Sequence, residues 1–182
     1  MKLITKRLVL RTITKKDIDD LIENINNIKV ARYTSTIPYP YSQKDAEWWI
    51  KECNKKAKDS YKFVIELKSE KKVIGGIDLL NVKKGKGEIG CWLGEKYWRK
   101  GIMSEASKKV LDFAFNKLKL RKVRWEALKE NKGSNSMAKS LGFKKEGKLR
   151  KEHIPLATGK IHDSIIYSML KEEWKKHRKK LK

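Results

Sequence analysis

The order of residues predicts an α+β fold in one domain, and three observations carry that reading. Short runs alternate their side chains as strands do. Between them, apolar residues recur three and four apart, as on helices. No internal repeat, low-complexity linker or break in composition divides the 182 residues, a length that suits one domain with a substantial core.

Taken in order, Arg7 to Ile13 sets Leu8, Leu10 and Thr12 against Val9, Arg11 and Ile13, which makes a first strand. Thr14-Lys15-Lys16-Asp17 reads as a capping start, and Ile18, Leu21, Ile22, Ile25 and Ile28 form a helical stripe behind it. Arg32 to Tyr41 is a connection that holds two of the three prolines and a cluster of Tyr33, Tyr39 and Tyr41. Ser42-Gln43-Lys44-Asp45 starts a second helix with Ala46, Trp49, Ile50, Cys53 and Ala57 on its buried side. Tyr61 to Leu67 and Val73 to Leu80 are strands joined by the charged turn Lys68 to Lys72, and Asn81 to Gly87 is a further turn.

The stretch around which the rest is organised follows. Glu88 to Leu93 alternates as a strand, Lys96 to Gly101 is a short basic loop, and Met103, Ala106, Val110 and Ala114 mark a helix widened by Leu111 and Phe115. A helix start offers free N–H groups and the positive end of the macrodipole, a seat for a diphosphate. Gly101 would let the backbone approach such a ligand closely. An ordinary strand-to-helix connection on a lysine-rich surface fits the loop chemistry equally well.

Lys122 to Leu128 is a strand with Val123, Trp125 and Ala127 on one face and Arg124, Glu126 and Leu128 on the other. A second polar stretch runs from Glu130 to Phe143: a strand end, a short helix, and Gly142 as its C′ residue. Phe143 to Arg150 and Lys160 to Leu170 are expected to pair antiparallel, and Glu172 to Lys182 reads as a solvated basic tail.

Composition removes several function classes. No apolar run approaches the roughly 20 residues needed to cross a bilayer, and the N-terminus has no signal core. Cys53 and Cys91 alone do not make a disulfide framework, and they fit a reduced, cytoplasmic setting. His153, His162 and His177 are scattered, without metal-ligand spacing. Forty-six basic residues against 22 acidic ones give a net charge of +24. Thirty-eight of the basic residues are Lys and eight are Arg, spread through every segment. Arg is the residue of bidentate phosphate and base recognition, so nonspecific polyanion binding is expected and a specific nucleic-acid role is not.

Trp98-Arg99-Lys100-Gly101-Ile102-Met103 resembles the acetyl-coenzyme A loop of the GNAT acetyltransferases, with Trp98 and Met103 where Gln or Arg and a small residue are usual. Ile89-Gly90-Cys91-Trp92-Leu93, Tyr97-Trp98 and Gly101 to Ala106 together resemble one branch, the ribosomal-protein N-terminal acetyltransferases. Arg7-Leu8-Val9-Leu10-Arg11 with Asp17, Asn131 twelve residues before Phe143, and Asp163 with Tyr167 extend the likeness over roughly Arg7 to Trp174.

The resemblance implies a mixed, mostly antiparallel sheet flanked by helices and splayed at the acetyl-coenzyme A site, with direct attack of an amine on the bound thioester. Backbone groups of Cys91, Trp92 and Leu93 would meet the pantetheine arm. The loop Trp98, Arg99, Lys100, Gly101, Ile102, Met103 and Ser104 would hold the diphosphate. Ser134 would protonate the leaving thiolate, a role other members give to a Tyr at the position held here by Ala138. Asn131 would bind the pantetheine or fix the strand end. Read from the residues alone, Ser134 is a helix N-cap and Asn131 a turn residue.

The general base is expected to be Glu88 acting through a bound water, with Glu126 and water alone as the alternatives; either Glu taken singly fits a surface ion pair. A covalent role for Cys91 is rejected, because a strand Cys is more often apolar filler and no His adjoins it. The implied acceptor is the α-amine of a protein such as a ribosomal protein. The alternatives are a small amine (polyamine, antibiotic or amino acid), or a non-catalytic coenzyme-binding or ribosome-associated role. An acidic acceptor cleft would favour a polycation. The oligomeric state, homodimer included, is left open.

Overall fold

The computed structural model describes residues 1–55 and 58–180; Ala57, expected in the second helical stripe, lies outside them. Eight strands form one sheet in the order β1-β2-β3-β4-β5-β6-β8-β7. They are β1 (Lys2–Ile4), β2 (Leu8–Arg11), β3 (Tyr61–Leu67), β4 (Lys72–Lys83), β5 (Lys86–Leu93), β6 (Lys122–Leu128), β7 (Lys144–His153) and β8 (His162–Leu170). Every neighbouring pair is antiparallel except β5 with β6. The mixed, mostly antiparallel sheet is therefore as expected.

The helices are α1 (Ile18–Ile25), α2 (Ile28–Ala31), α3 (Gln43–Asn54), α4 (Ile102–Asp112), α5 (Lys132–Ser140) and α6 (Lys171–Lys180). They cover both faces of the sheet, and alternation along the strands feeds two cores. Ile77, Leu79, Ile89, Val123, Trp125, Ala127, Tyr167 and Met169 meet Ala106, Val110 and Leu111 of α4. On the other face Val64 and Val73 meet Leu21 and Ile25 of α1 and Ala46 and Ile50 of α3, with Trp92 packed alongside.

Local chemistry sets several boundaries. Ser42 and Asp45 close a capping box at α3, and Thr14 and Asp17 close another ahead of α1. The expected stripe through Ile28 is interrupted, because the Asn27 side chain accepts from Lys29 N–H and starts α2 as a separate turn. β4 and β5 run past the expected turn of Asn81 to Gly87. Lys84 and Gly85 both have positive φ and form a tight two-residue hairpin that lets pairing continue to Lys83 and Lys86.

The C-terminal stretch departs from a solvated tail. It forms α6, whose Trp174 is 2% exposed and donates its indole N–H to Asp112 at 3.1 Å. One large aromatic, read as part of a charge run, docks the helix on the α4 side of the sheet.

Candidate active site

The sheet opens where the parallel pair β5 and β6 ends. Pairing between β5 and β6 runs from Lys86 with Lys122 to Ile89 with Trp125 and stops there. Yet β5 continues to Leu93 along β4, and β6 continues to Leu128 along β8. Gly90 to Leu93 and Glu126 to Leu128 thus form two arms of a V, each with one backbone edge unpaired by the other. Buried backbone polar groups call for partners, so this gap suits a ligand with amide groups of its own. Cys91, Trp92 and Leu93 line one arm.

The loop after β5 is stapled in place. Trp98 donates its indole N–H to the Leu93 carbonyl at 2.7 Å, taking one lone pair of an expected pantetheine acceptor. The Tyr97 hydroxyl donates to Glu70 at 2.6 Å. Lys96 ion-pairs with Glu23, so it is a fastener of the loop. Positive φ at Arg99 (59°) and Gly101 (71°) brackets Lys100; alternation of backbone hand is how anion-binding nests are built.

The first intrahelical bond of α4 runs from Glu105 N–H to the Gly101 carbonyl, which leaves Ile102, Met103 and Ser104 N–H without helical acceptors. Ile102 and Met103 are 3% and 7% exposed. They therefore offer a diphosphate only their main chain, and Met103 causes no obstruction because its side chain is in the core.

One support of this loop escaped the sequence reading. Arg7, read as a strand residue, donates to the Lys100 carbonyl at 2.9 Å and to Glu105 at 2.7 Å. Thr5 and the Arg7 N–H also donate to Glu105. Against the upward push of burial, these bonds hold the Glu105 carboxyl below its ordinary value. Arg11 has a purely structural fate, bonding Asp17 through both terminal nitrogens at 2.8 Å and Glu66 at 2.6 Å.

The second arm carries Ser134 and Asn131. Asn131, not Ser134, is the N-cap of α5, and its side-chain oxygen accepts the Ser134 N–H at 3.0 Å. The Trp125 indole N–H donates to the Ser134 hydroxyl oxygen at 2.9 Å. Asn135 also went unnoticed in the sequence. It donates to the Leu128 and Asn131 carbonyls at 2.8 and 2.7 Å and accepts from the Tyr167 hydroxyl at 2.9 Å. Tyr167 through Asn135 thereby fixes the tip of β6 to the start of α5.

On the sheet face opposite α4, alternation sets out Lys62, Asp78, Glu88, Arg124 and Glu126. Glu88 stands across from Arg124 in the paired part of the strands, 4.0 Å from its Nε, while Arg124 bonds Glu126 at 3.1 Å. Burial raises the Glu88 carboxyl, Arg124 opposes that, and Glu126 adds to it. Asp78 pairs in register with Lys62 and Gly90, and burial pushes its carboxyl up to about 7. The Cys91 thiol is raised to about 12 by burial, so it is not a thiolate near neutrality.

A splayed parallel pair and a nest at a helix start, with a hydroxyl on the facing arm, fit the class of acyl-coenzyme A-dependent transferases. Residues 7–144 match the family model of the acetyltransferase (GNAT) domain, and the chain belongs to the GNAT family of acetyl-coenzyme A-dependent N-acetyltransferases. It is 33% identical over 176 residues to the uncharacterised N-acetyltransferase p20 of Bacillus licheniformis, covering 94% of this chain and 97% of that one. Over 89 residues it is 37% identical to the putative ribosomal N-acetyltransferase YdaF of Bacillus subtilis, about half of each chain (49% and 48%). The spermidine N-acetyltransferase of Vibrio cholerae, solved with CoA and spermine, superposes with a TM-score of 0.78 at 22% identity, covering 93% of this chain and 99% of that one. Relatives thus include both ribosomal-protein-type and polyamine enzymes.

Proposed function

We propose that this N-acetyltransferase acts on the α-amine of a protein N-terminus, with a ribosomal protein as the type of acceptor. Attack needs a neutral amine, a donor to the carbonyl oxygen as charge develops there, and a proton for the departing thiolate. The V supports the second requirement, since Gly94 N–H bonds Ile74 on β4 and the alternation along β5 turns the N–H groups of Cys91 and Leu93 to the free edge. For the third, the observation that carries the reading is the bond from Trp125 to Ser134. An indole nitrogen only donates, so Ser134 accepts there and keeps its own O–H for another acceptor. Asn131, its oxygen committed to Ser134 N–H, has its amide NH₂ to offer the pantetheine.

The charge balance on the opposite face favours a single ammonium over a polyamine. Asp78, Glu88 and Glu126 stand with Lys62 and Arg124 nearby, and burial raises the Asp78 and Glu88 carboxyls, so this face lacks the large negative excess that a polycation would call for. Glu88 lies below the opening beside Arg124, where it balances charge and orients water for the incoming amine. The reaction setting would be cytoplasmic.

The test offers the protein acetyl-coenzyme A with a peptide bearing a free α-amine, the same peptide N-formylated but retaining a lysine, and spermidine. Mass spectrometry should find one acetyl group on the free α-amine at a rate well above the other two. Spermidine acetylated faster than the peptide would overturn the acceptor assignment.

A further inference from the structure

We infer that Asp78 is the residue that takes the proton from the attacking amine. The inference rests on the acetyl-transfer reading above and deepens it.

Position is the first ground. Asp78 lies on β4 directly opposite Gly90 of β5. Gly90 is the first β5 residue after pairing with β6 has ended, so Asp78 stands level with the start of the V. Glu88 stands where the strands are still joined.

Access is the second ground. Gly90 carries no side chain, and a Cβ built there would touch only Leu80 Cδ1, at 3.6 Å. The space between Asp78 and the opening is therefore clear on its own face. At Gly76, one pleat further along, a Cβ would fall 2.5 Å from Trp92 Nε1. The Trp92 indole thus lies across β4 there and walls the far side of the same space. The buried side of β4 is closed by Ile77 and Leu79, both 0% exposed.

Partners are the third ground. Among the described residues the Asp78 carboxylate accepts one hydrogen bond, from Phe63 N–H to Oδ1 at 3.3 Å. Its other oxygen is free to receive a donor. The titratable groups around it are Lys62 on β3, Cys53 at the end of α3, Glu88 on the same face of β5, and Cys91 on β5 with its side chain on the α4 face. Both thiols are raised to about 12 by burial, which leaves Lys62 and Glu88 as the charged neighbours, and Lys62 is the one that acts on Asp78. Burial outweighs Lys62 and the Phe63 bond and brings the carboxyl to about 7, close to the value an effective base needs at neutral pH.

The step balances as follows. An N–H bond of the acceptor ammonium breaks and an O–H bond forms at Asp78. The freed lone pair forms the C–N bond to the acetyl carbon as the C–S bond breaks. The thiolate takes the Ser134 proton, and the second proton of the amine nitrogen returns through solvent to Ser134. One proton leaves Asp78 to solvent per turnover.

The test compares Asp78→Asn and Glu88→Gln by kcat/KM for the peptide between about pH 5.5 and about pH 9. The wild type should rise through a limb near neutrality. Asp78→Asn should lose about 100-fold at pH 7.5 and lose the limb, with acetyl-coenzyme A affinity kept. Glu88→Gln should lower the rate and keep the limb. A limb that vanishes in Glu88→Gln and survives in Asp78→Asn overturns the assignment. A second readout is the ¹³C shift of aspartate carboxyls in the coenzyme A complex, with Asp78 identified by its absence in the Asn variant. Titration near pH 7 supports the assignment, and titration near the ordinary aspartate value of about 3.9 overturns it. A wild type that acetylates no amine would strike the transfer reading itself.

Discussion

The indole nitrogen of Trp125 lies 2.9 Å from the hydroxyl oxygen of Ser134 and donates its N–H to it. Trp125 is itself set edge-on against Phe143, with ring centroids 5.7 Å apart, and is 1% exposed. A rigid core residue therefore aims the hydroxyl. Ser134→Ala should lower kcat about 100-fold and leave acetyl-coenzyme A binding by calorimetry unchanged. Trp125→Phe removes the aiming bond along with some core volume but keeps the Ser134 hydroxyl, so kcat of the folded variant should fall less, by roughly tenfold. Equal activity of Ser134→Ala and wild type would remove the acid role.

The Arg7 side chain ties the diphosphate loop to the first strands through the Lys100 carbonyl and Glu105. These bonds are partly exposed, so they contribute on the order of 1 kcal/mol. Arg7→Ala should weaken acetyl-coenzyme A binding roughly fivefold, while the melting temperature moves little. Glu105→Gln should reproduce part of the effect, since Thr5 and Arg7 lose a charged acceptor. An unchanged dissociation constant in both variants would mean that the loop holds its shape without them.

Much of the candidate site's local geometry was legible in the sequence, and the exceptions share a cause. Gly101 could be placed at the start of α4 from a motif local in sequence, and the start of α5 was found to within three residues, with Asn131 rather than Ser134 as its N-cap. Arg7 with Glu105, Trp125 with Ser134, and Tyr167 with Asn135 are contacts across the fold, and no local pattern encodes their pairing. Asp78 sits in the otherwise apolar run from Val73 to Leu80 of β4, where its significance depends on Gly90 across the sheet. α6 was obscured for a different reason. Its charged residues outnumber Trp174, so composition spoke for solvent while one buried ring decided the docking.

Cys91 and Cys53 should behave as buried thiols. Burial raises both to about 12, well above the ordinary cysteine value of about 8.5. The thiolate is the reactive form, so at about pH 9, where an ordinary thiol is mostly ionised, both remain protonated. Iodoacetamide should label neither appreciably in the folded protein and both after denaturation in urea. Cys91→Ala should retain peptide acetylation, in keeping with direct transfer. Loss of all turnover with coenzyme binding intact would reopen a covalent route.

Trp174 offers a test of whether α6 belongs to the folded unit. Its ring packs into the same core as Val110 and Leu111 of α4, and its N–H is taken by Asp112, which also pairs with Arg178 at 3.3 Å. Truncating a fully buried aromatic forfeits transfer energy and leaves a cavity, at a cost of about 3–5 kcal/mol. Trp174→Ala should therefore lower the urea midpoint sharply, with the transition remaining single if α6 unfolds together with the sheet. Asp112→Asn leaves an acceptor for the indole and weakens only the pairing with Arg178, so its cost should stay near 1 kcal/mol or below. A Trp174→Ala protein as stable as wild type would make α6 an appendage, and a second, earlier transition would make it a separately unfolding one.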